Sequence, residues 1–158
     1  MGYSNILEYR VFSLSVDSDP VIIELNSENS LCSPSGGIIK EFDISAAANQ
    51  TCRSLLKVMN YYGSGFVFKI LDRSDDSELF SWDGGPAGTS TEYNFILDGN
   101  GSGQYKAELC LNECVGVEYV RATVKLNLYQ SDNQNLSDQS IELSYYHDCD
   151  TGIFEAEQ

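Results

Sequence analysis

The densest grouping of reactive side chains lies near the C-terminus, where His147-Asp148-Cys149-Asp150 sets four potential metal ligands in consecutive positions. His147 is the single histidine of the chain. Adjacent strand residues point to opposite faces, so only alternate members of this run could share one ion. No Cys-x-x-Cys or spaced histidine pair stands by to complete a zinc tetrahedron, and the sequence reads here as a polar chain end.

Oxygen ligands are more plentiful. Asp98, Asn100, Ser102 and Gly103 follow the first half of a calcium loop, Asp-x-Asn-x-Ser-Gly. The twelfth position, where a bidentate carboxylate belongs, is Leu109, and no flanking helices are expected. A second acidic cluster, Asp72, Asp75, Asp76 and Glu78, could hold calcium if its loop folded around the ion. Carboxylates crowd together in so acidic a chain with no ion to hold, so the expectation is no cofactor, with calcium as the alternative.

Catalytic patterns are poorly represented. One histidine would have to serve any serine or cysteine nucleophile, and there is no Gly-x-Ser-x-Gly elbow. The glycine-rich segments lack the lysine that follows in a phosphate loop. Nothing singles out two carboxylates for glycoside chemistry. The chain is therefore expected not to be an enzyme. Its aromatic residues suggest a different use, because exposed rings stack on sugars. Trp82, Tyr61 and Tyr62 are the candidate ligand-binding aromatics, with Tyr119 and Tyr129 beside them, although packing explains most rings in β-proteins.

Five cysteines leave at least one without a partner inside the chain. Cys32 with Cys52, in a polar and turn-rich stretch, and Cys110 with Cys114, across Leu-Asn-Glu, are the bridges that short connections favour. Small buried thiols in a reduced protein are the other reading.

Charge narrows the partners. Carboxylates outnumber basic residues 24 to 9, for a formal net charge of −15. Such a surface repels phosphate backbones and anionic headgroups, which argues against nucleic acid and membrane. No apolar run reaches the ~18 residues of a membrane span, and the first residues lack a basic region followed by an apolar core, so neither membrane insertion nor a signal peptide is expected.

The elements that must position these residues are strands. Val120, Ala122, Val124, Leu126 and Leu128 alternate with polar residues over 119–129, the period of a half-buried antiparallel strand. Tyr105, Ala107, Leu109 and Leu111 repeat the pattern over 104–111, as do shorter runs at 9–16, 21–25, 37–44, 65–71, 78–82, 93–97 and 141–145. Residues 46–62 admit two readings: a helix capped by Ser45, with Cys52, Leu55, Leu56 and Met59 on one face, or a strand over 54–62, which the following turn favours. Nine or ten strands with frequent turn signals predict one antiparallel β-sandwich domain over residues 1–158, with an acidic tail running along the surface from about 147.

From Asp98 the chain reads Asp-Gly-Asn-Gly-Ser-Gly-Gln-Tyr-Lys-Ala-Glu-Leu-Cys. This resembles the corner before the penultimate strand of immunoglobulin-like domains. The resemblance implies a tyrosine corner at Tyr105, an inward Ala107 where a cysteine often stands, and residues 119–129, with Val124 in the core, as the last strand of the same sheet. A jelly roll is the alternative architecture. A compact acidic sandwich of this kind suits a non-enzymatic structural or interaction module, such as a virion accessory protein in head decoration or a tail. It would dock on protein partners as a homo-oligomer or in a large assembly, in a virion or extracellular setting. An extracellular carbohydrate- or cell-surface-binding module is the alternative.

Overall fold

The computed structural model describes residues 13–16, 21–23, 37–45, 52–63, 65–111, 114, 116–129 and 135–156. The chain is all-β, with no helix among the described residues. Eleven strands are present there: β1 (Ser13–Val16), β2 (Val21–Ile23), β3 (Gly37–Ser45), β4 (Cys52–Tyr62), β5 (Phe66–Asp72), β6 (Glu78–Asp83), β7 (Ser90–Phe95), β8 (Ser102–Leu111), β9 (Tyr119–Tyr129), β10 (Asn135–Asp148) and β11 (Phe154–Ala156). They form two antiparallel sheets. The first runs β1-β3-β8-β5-β6, with β2 also on β3, and the second runs β11-β10-β9-β4-β7. Each sheet thus has four main strands and short strands added at one side.

Alternation explains the layering. Val120, Ala122, Val124, Leu126 and Leu128 of β9 are buried, as are Phe66, Phe68 and Ile70 of β5. Residues of both sheets join one hydrophobic cluster that also takes in Ile38, Phe42, Leu56, Leu109, Leu143 and Tyr145. Complete burial of each such side chain contributes roughly 1.5–3 kcal/mol, so this shared core outweighs any single surface contact.

The segment from Asp98 to Leu111 folds as one unit. The Tyr105 ring is buried 4.8 Å from Phe95 and 5.7 Å from Phe42, and its hydroxyl donates to the Ile96 carbonyl at 2.8 Å. Burial pushes the phenol well above its ordinary pKa, so it stays a donor. Gly103 lets the ring lie against the chain, since a β-carbon there would fall 2.3 Å from the tyrosine oxygen. Ala107 and Val124 are fully buried.

One expectation needs correction, and the favoured strand reading of 46–62 holds over its described part. The strand over 119–129 does not extend the sheet of β8: both edges of β8 are taken, by β3 and β5, and β9 pairs with β4 and β10 in the other sheet. The helical reading of 46–62 fails over its described part, because Cys52, Ser54, Leu56 and Val58 are buried at period two, and β4 begins at Cys52. Residues 46–51 lie outside the described residues. From 147 the chain turns back on itself with residues 150–153 and 155 exposed, and β11 pairs with Tyr145, Tyr146 and His147 of β10. Asp148 makes that turn by accepting the backbone N–H groups of Asp150 and Thr151 at 2.9 and 3.0 Å.

Candidate functional site

The outer face of the second sheet owes its character to a single irregularity. Up to Val58, the even-numbered residues of β4 point inward, and a bulge between Val58 and Asn60 then shifts the register. An extra residue exchanges the faces of everything beyond it. Tyr61 consequently packs on the core, 5.6 Å from Phe66, while Tyr62 turns outward and is 48% exposed.

Across β4, β9 and β10 the outward rings form a row. Tyr62 stacks on Tyr119 at 4.3 Å, and Tyr119 lies 5.4 Å from Tyr146. Arg121, level with Tyr62 on one neighbour and Tyr146 on the other, sits 5.7 Å over the Tyr146 ring. At the far end of the face Arg53 lies 5.5 Å over Tyr129, its partner in register. Between them Lys57 and Lys125 are directly opposite each other on adjacent strands. Like charges in that position repel, at a cost of roughly 0.2–1 kcal/mol. Neither lysine has an ion-pair partner among the described residues, although Glu142 is level with Lys125 on β10. Four cations thus share a face with four carboxylates, Glu92, Glu142, Asp148 and Glu155, in a chain where acids prevail 24 to 9.

The outward cations of the first sheet are handled differently, whereas Lys40 of β3, level with the buried Ala107, has no ion pair among the described residues. Lys69 pairs with Glu78 at 3.7 Å, Arg73 with Glu41 at 3.9 Å and also with Asp43, and Lys106 with Asp76. Glu108 is buried among them, and burial raises its pKa, opposed by the nearby Lys69 and Lys106.

A cleft of about 880 Å³ opens at one end of the first sheet. It brings the two acidic turns together, with Asp43, Asp72 and Asp98 beside Leu79, Ile96 and Leu97. The oxygens proposed for calcium are engaged in their own turns. Asp98 accepts from the backbone N–H of Asn100 and Ser102 and from the Ser102 hydroxyl, at 2.8, 3.0 and 2.8 Å. Those bonds, from Ser102 first, hold its carboxyl below the usual range. Asp72 accepts from Ser74, Asp75 from the Ser77 N–H, and Asp76 pairs with Lys106.

The remaining candidates are dispersed. Trp82, on the edge strand β6, is partly buried against the core, so Trp82, Tyr61 and Tyr62 do not share a surface. The expected bridges are replaced: Cys114 joins Cys149, and Cys52 is free and buried, its thiol pushed up to about 12 by burial. Cys110 is disulfide-bonded too, and Cys32 lies outside the described residues. Short sequence separation misleads here because the β8–β9 connection is carried to the turn after β10, 35 residues on. Around that bridge Cys114, His147 and Cys149 place their donor atoms within 4.8 Å of one another.

No protein-family model and no curated protein matches the chain. Among solved structures, the one described as "AvmM Catalyzes Macrocyclization in Alchivemycin A Biosynthesis" aligns with a TM-score of 0.36 and 12% identity, over 86% of this chain and 88% of that one. The manganese lipoxygenase structure of Gaeumannomyces graminis, described together with a partial zonadhesin of Komagataella pastoris, gives 0.34 and 14%, over 89% of this chain and 52% of that one. Clostridium perfringens delta-toxin gives 0.20 and 8%, over 93% and 92%. Similarities this low carry no functional argument.

Two features of the site escaped sequence reasoning. The opposition of Lys57 and Lys125 depends on strand register, and the outward turn of Tyr62 depends on a bulge that no glycine or proline marks.

Proposed function

We propose that the chain is a non-enzymatic interaction module, an assembly subunit such as a virion decoration or tail component, docking through the outer face of β4, β9 and β10 onto an acidic surface of a second copy. The observation that carries this reading is the pair Lys57 and Lys125, level with each other and lacking ion partners among the described residues. A folded chain gains nothing from that repulsion, whereas an incoming carboxylate would relieve it. The complementary surface on another copy is the acidic rim of the cleft, where Asp72 and Asp98 meet Leu79 and the 86% exposed Ile96. Two different patches in contact make a head-to-tail arrangement, which builds rings or filaments.

The non-enzymatic part draws support from the burial of Cys52, the free thiol among the described residues, whose proton is held in place by that burial. Within the two-sheet frame, the immunoglobulin-like subtype is supported by Tyr105 and by pairings β4–β7 and β5–β8 in opposite sheets, which correspond to strands B with E and C with F. It departs at β9, which lies beside β4 instead of β8. The carbohydrate reading draws less support, because Tyr62, Tyr119 and Tyr146 turn their ring faces on one another.

Sedimentation velocity over protein concentration and salt is the test. Association that grows with concentration and weakens with salt is expected. A monomer under all conditions contradicts the proposal.

A further inference from the structure

We propose that the Cys114–Cys149 bridge covers a redox-gated metal site, which on reduction takes up zinc through two cysteine thiolates and the imidazole of His147. This inference is independent of the docking face.

The geometry is built from the backbone upward. His147 stands one residue before the end of β10, and Cys149 is the first residue of the turn that follows. Cys114 arrives from the β8–β9 connection, and the three donor atoms lie within 4.8 Å of one another. His147 is 5% exposed, and its ring is hydrogen-bonded to the Ile153 backbone carbonyl. An imidazole anchored through one nitrogen to a carbonyl is the usual posture of a metal-binding histidine, since the bond fixes the ring and its tautomer.

The frame does not depend on the disulfide. The Cys149 N–H donates to the Glu118 carbonyl at 2.9 Å, tying the turn to the strand that follows Cys114. Asp148 pairs in register with Tyr119, and His147 with Val120 on one side and Phe154 on the other. Opening the bridge therefore leaves both cysteines near their places, with Cα atoms 6.1 Å apart in the bridged state. Two Zn–S bonds of ~2.3 Å hold sulfurs about 3.8 Å apart at a tetrahedral angle, a separation reached by side-chain rotation. Two sulfurs, one imidazole nitrogen and a water complete four-coordination. The charge of −15 draws cations toward the protein.

The chemistry balances. A thiol-based reductant gives two electrons and two protons to the bridge; the S–S bond breaks, two thiols form, and the reductant becomes a disulfide. Zinc then displaces both thiol protons to solvent. In the oxidised chain the sulfur lone pairs belong to a disulfide, a poor ligand, and no comparable binding is expected.

The test uses the full chain, a non-chelating phosphine as reductant, and Co2+ as a spectroscopic stand-in for zinc. The phosphine leaves as its oxide, taking oxygen from water. The reduced protein is expected to show a thiolate-to-cobalt charge-transfer band and tetrahedral d–d bands that saturate at one equivalent and vanish with zinc. Cys149→Ser should abolish the charge-transfer band. His147→Gln should weaken cobalt binding at least about tenfold, the low end of what even outer ligand partners contribute. Cys110→Ser, away from the cluster, should retain both signals. Absence of the band in the reduced protein, or binding unchanged by Cys149→Ser or by His147→Gln, overturns the proposal. Far-UV circular dichroism of the reduced chain guards against trivial loss: strand signal that persists, or returns with zinc, supports the site, and unfolding that zinc does not reverse overturns it.

Discussion

The two sheets turn opposite solutions outward. On the first, Lys69, Arg73 and Lys106 each meet a carboxylate, and the face is settled within the chain. On the second, Arg53 and Arg121 lie over tyrosine rings, and Lys57 confronts Lys125. Since a shared core supports both, the difference is not one of fold stability. It separates a face whose outward cations are paired within the chain from one that holds an unrelieved lysine pair, the feature on which the docking proposal rests.

Substitutions on either face probe that contrast. The largest effect is expected where the faces share their support. Phe68→Ala, in the common core, should cost about 3–5 kcal/mol in urea denaturation and abolish association with it, which marks how a loss of fold differs from a loss of docking. Tyr105→Phe removes only the bond to the Ile96 carbonyl and should cost about 0.5–1.5 kcal/mol, with association of the folded chain unchanged. An altered association constant would show that the acidic rim beside Ile96 depends on that bond.

Much of the frame was legible in the sequence, and the reason is local. The alternation in β9 and the turn glycines leading to Tyr105 are each contained within a dozen residues, so chain order alone reveals them. The sheet that β9 joins is not local: it depends on β8 already having two neighbours. The candidate site was largely hidden for the same reason. Lys57 and Lys125 are far apart in sequence and meet only through register, and Cys114 reaches His147 and Cys149 only through the crossing between sheets. Within the 147–150 run the chain ends its strand at Asp148, and the third donor of the proposed site, Cys114, comes from another connection.

Smaller effects are expected on the ion-paired face. Lys106→Ala should change stability by no more than about 1 kcal/mol, less at high salt, and leave association intact, because an exposed pair is screened and entropically costly. Titration gives the last distinction. The Asp98 carboxyl is held below its ordinary value of 3.8, so the folded state binds its proton less readily than the unfolded chain. Its contribution is present above that value and is lost as pH falls through the depressed one. Acid-unfolding curves of Asp98→Asn should be flatter in that window than those of the native chain.

The decisive experiment is Lys57→Glu, read by thermal or urea unfolding and by sedimentation on the same sample. Replacing one of two opposed lysines converts a repulsive cross-strand pair into an attractive one, so stability should rise by about 0.2–1 kcal/mol while salt-sensitive association is lost. A variant that is less stable, or one that associates as well as the native chain, would contradict the assignment of this face as the docking surface.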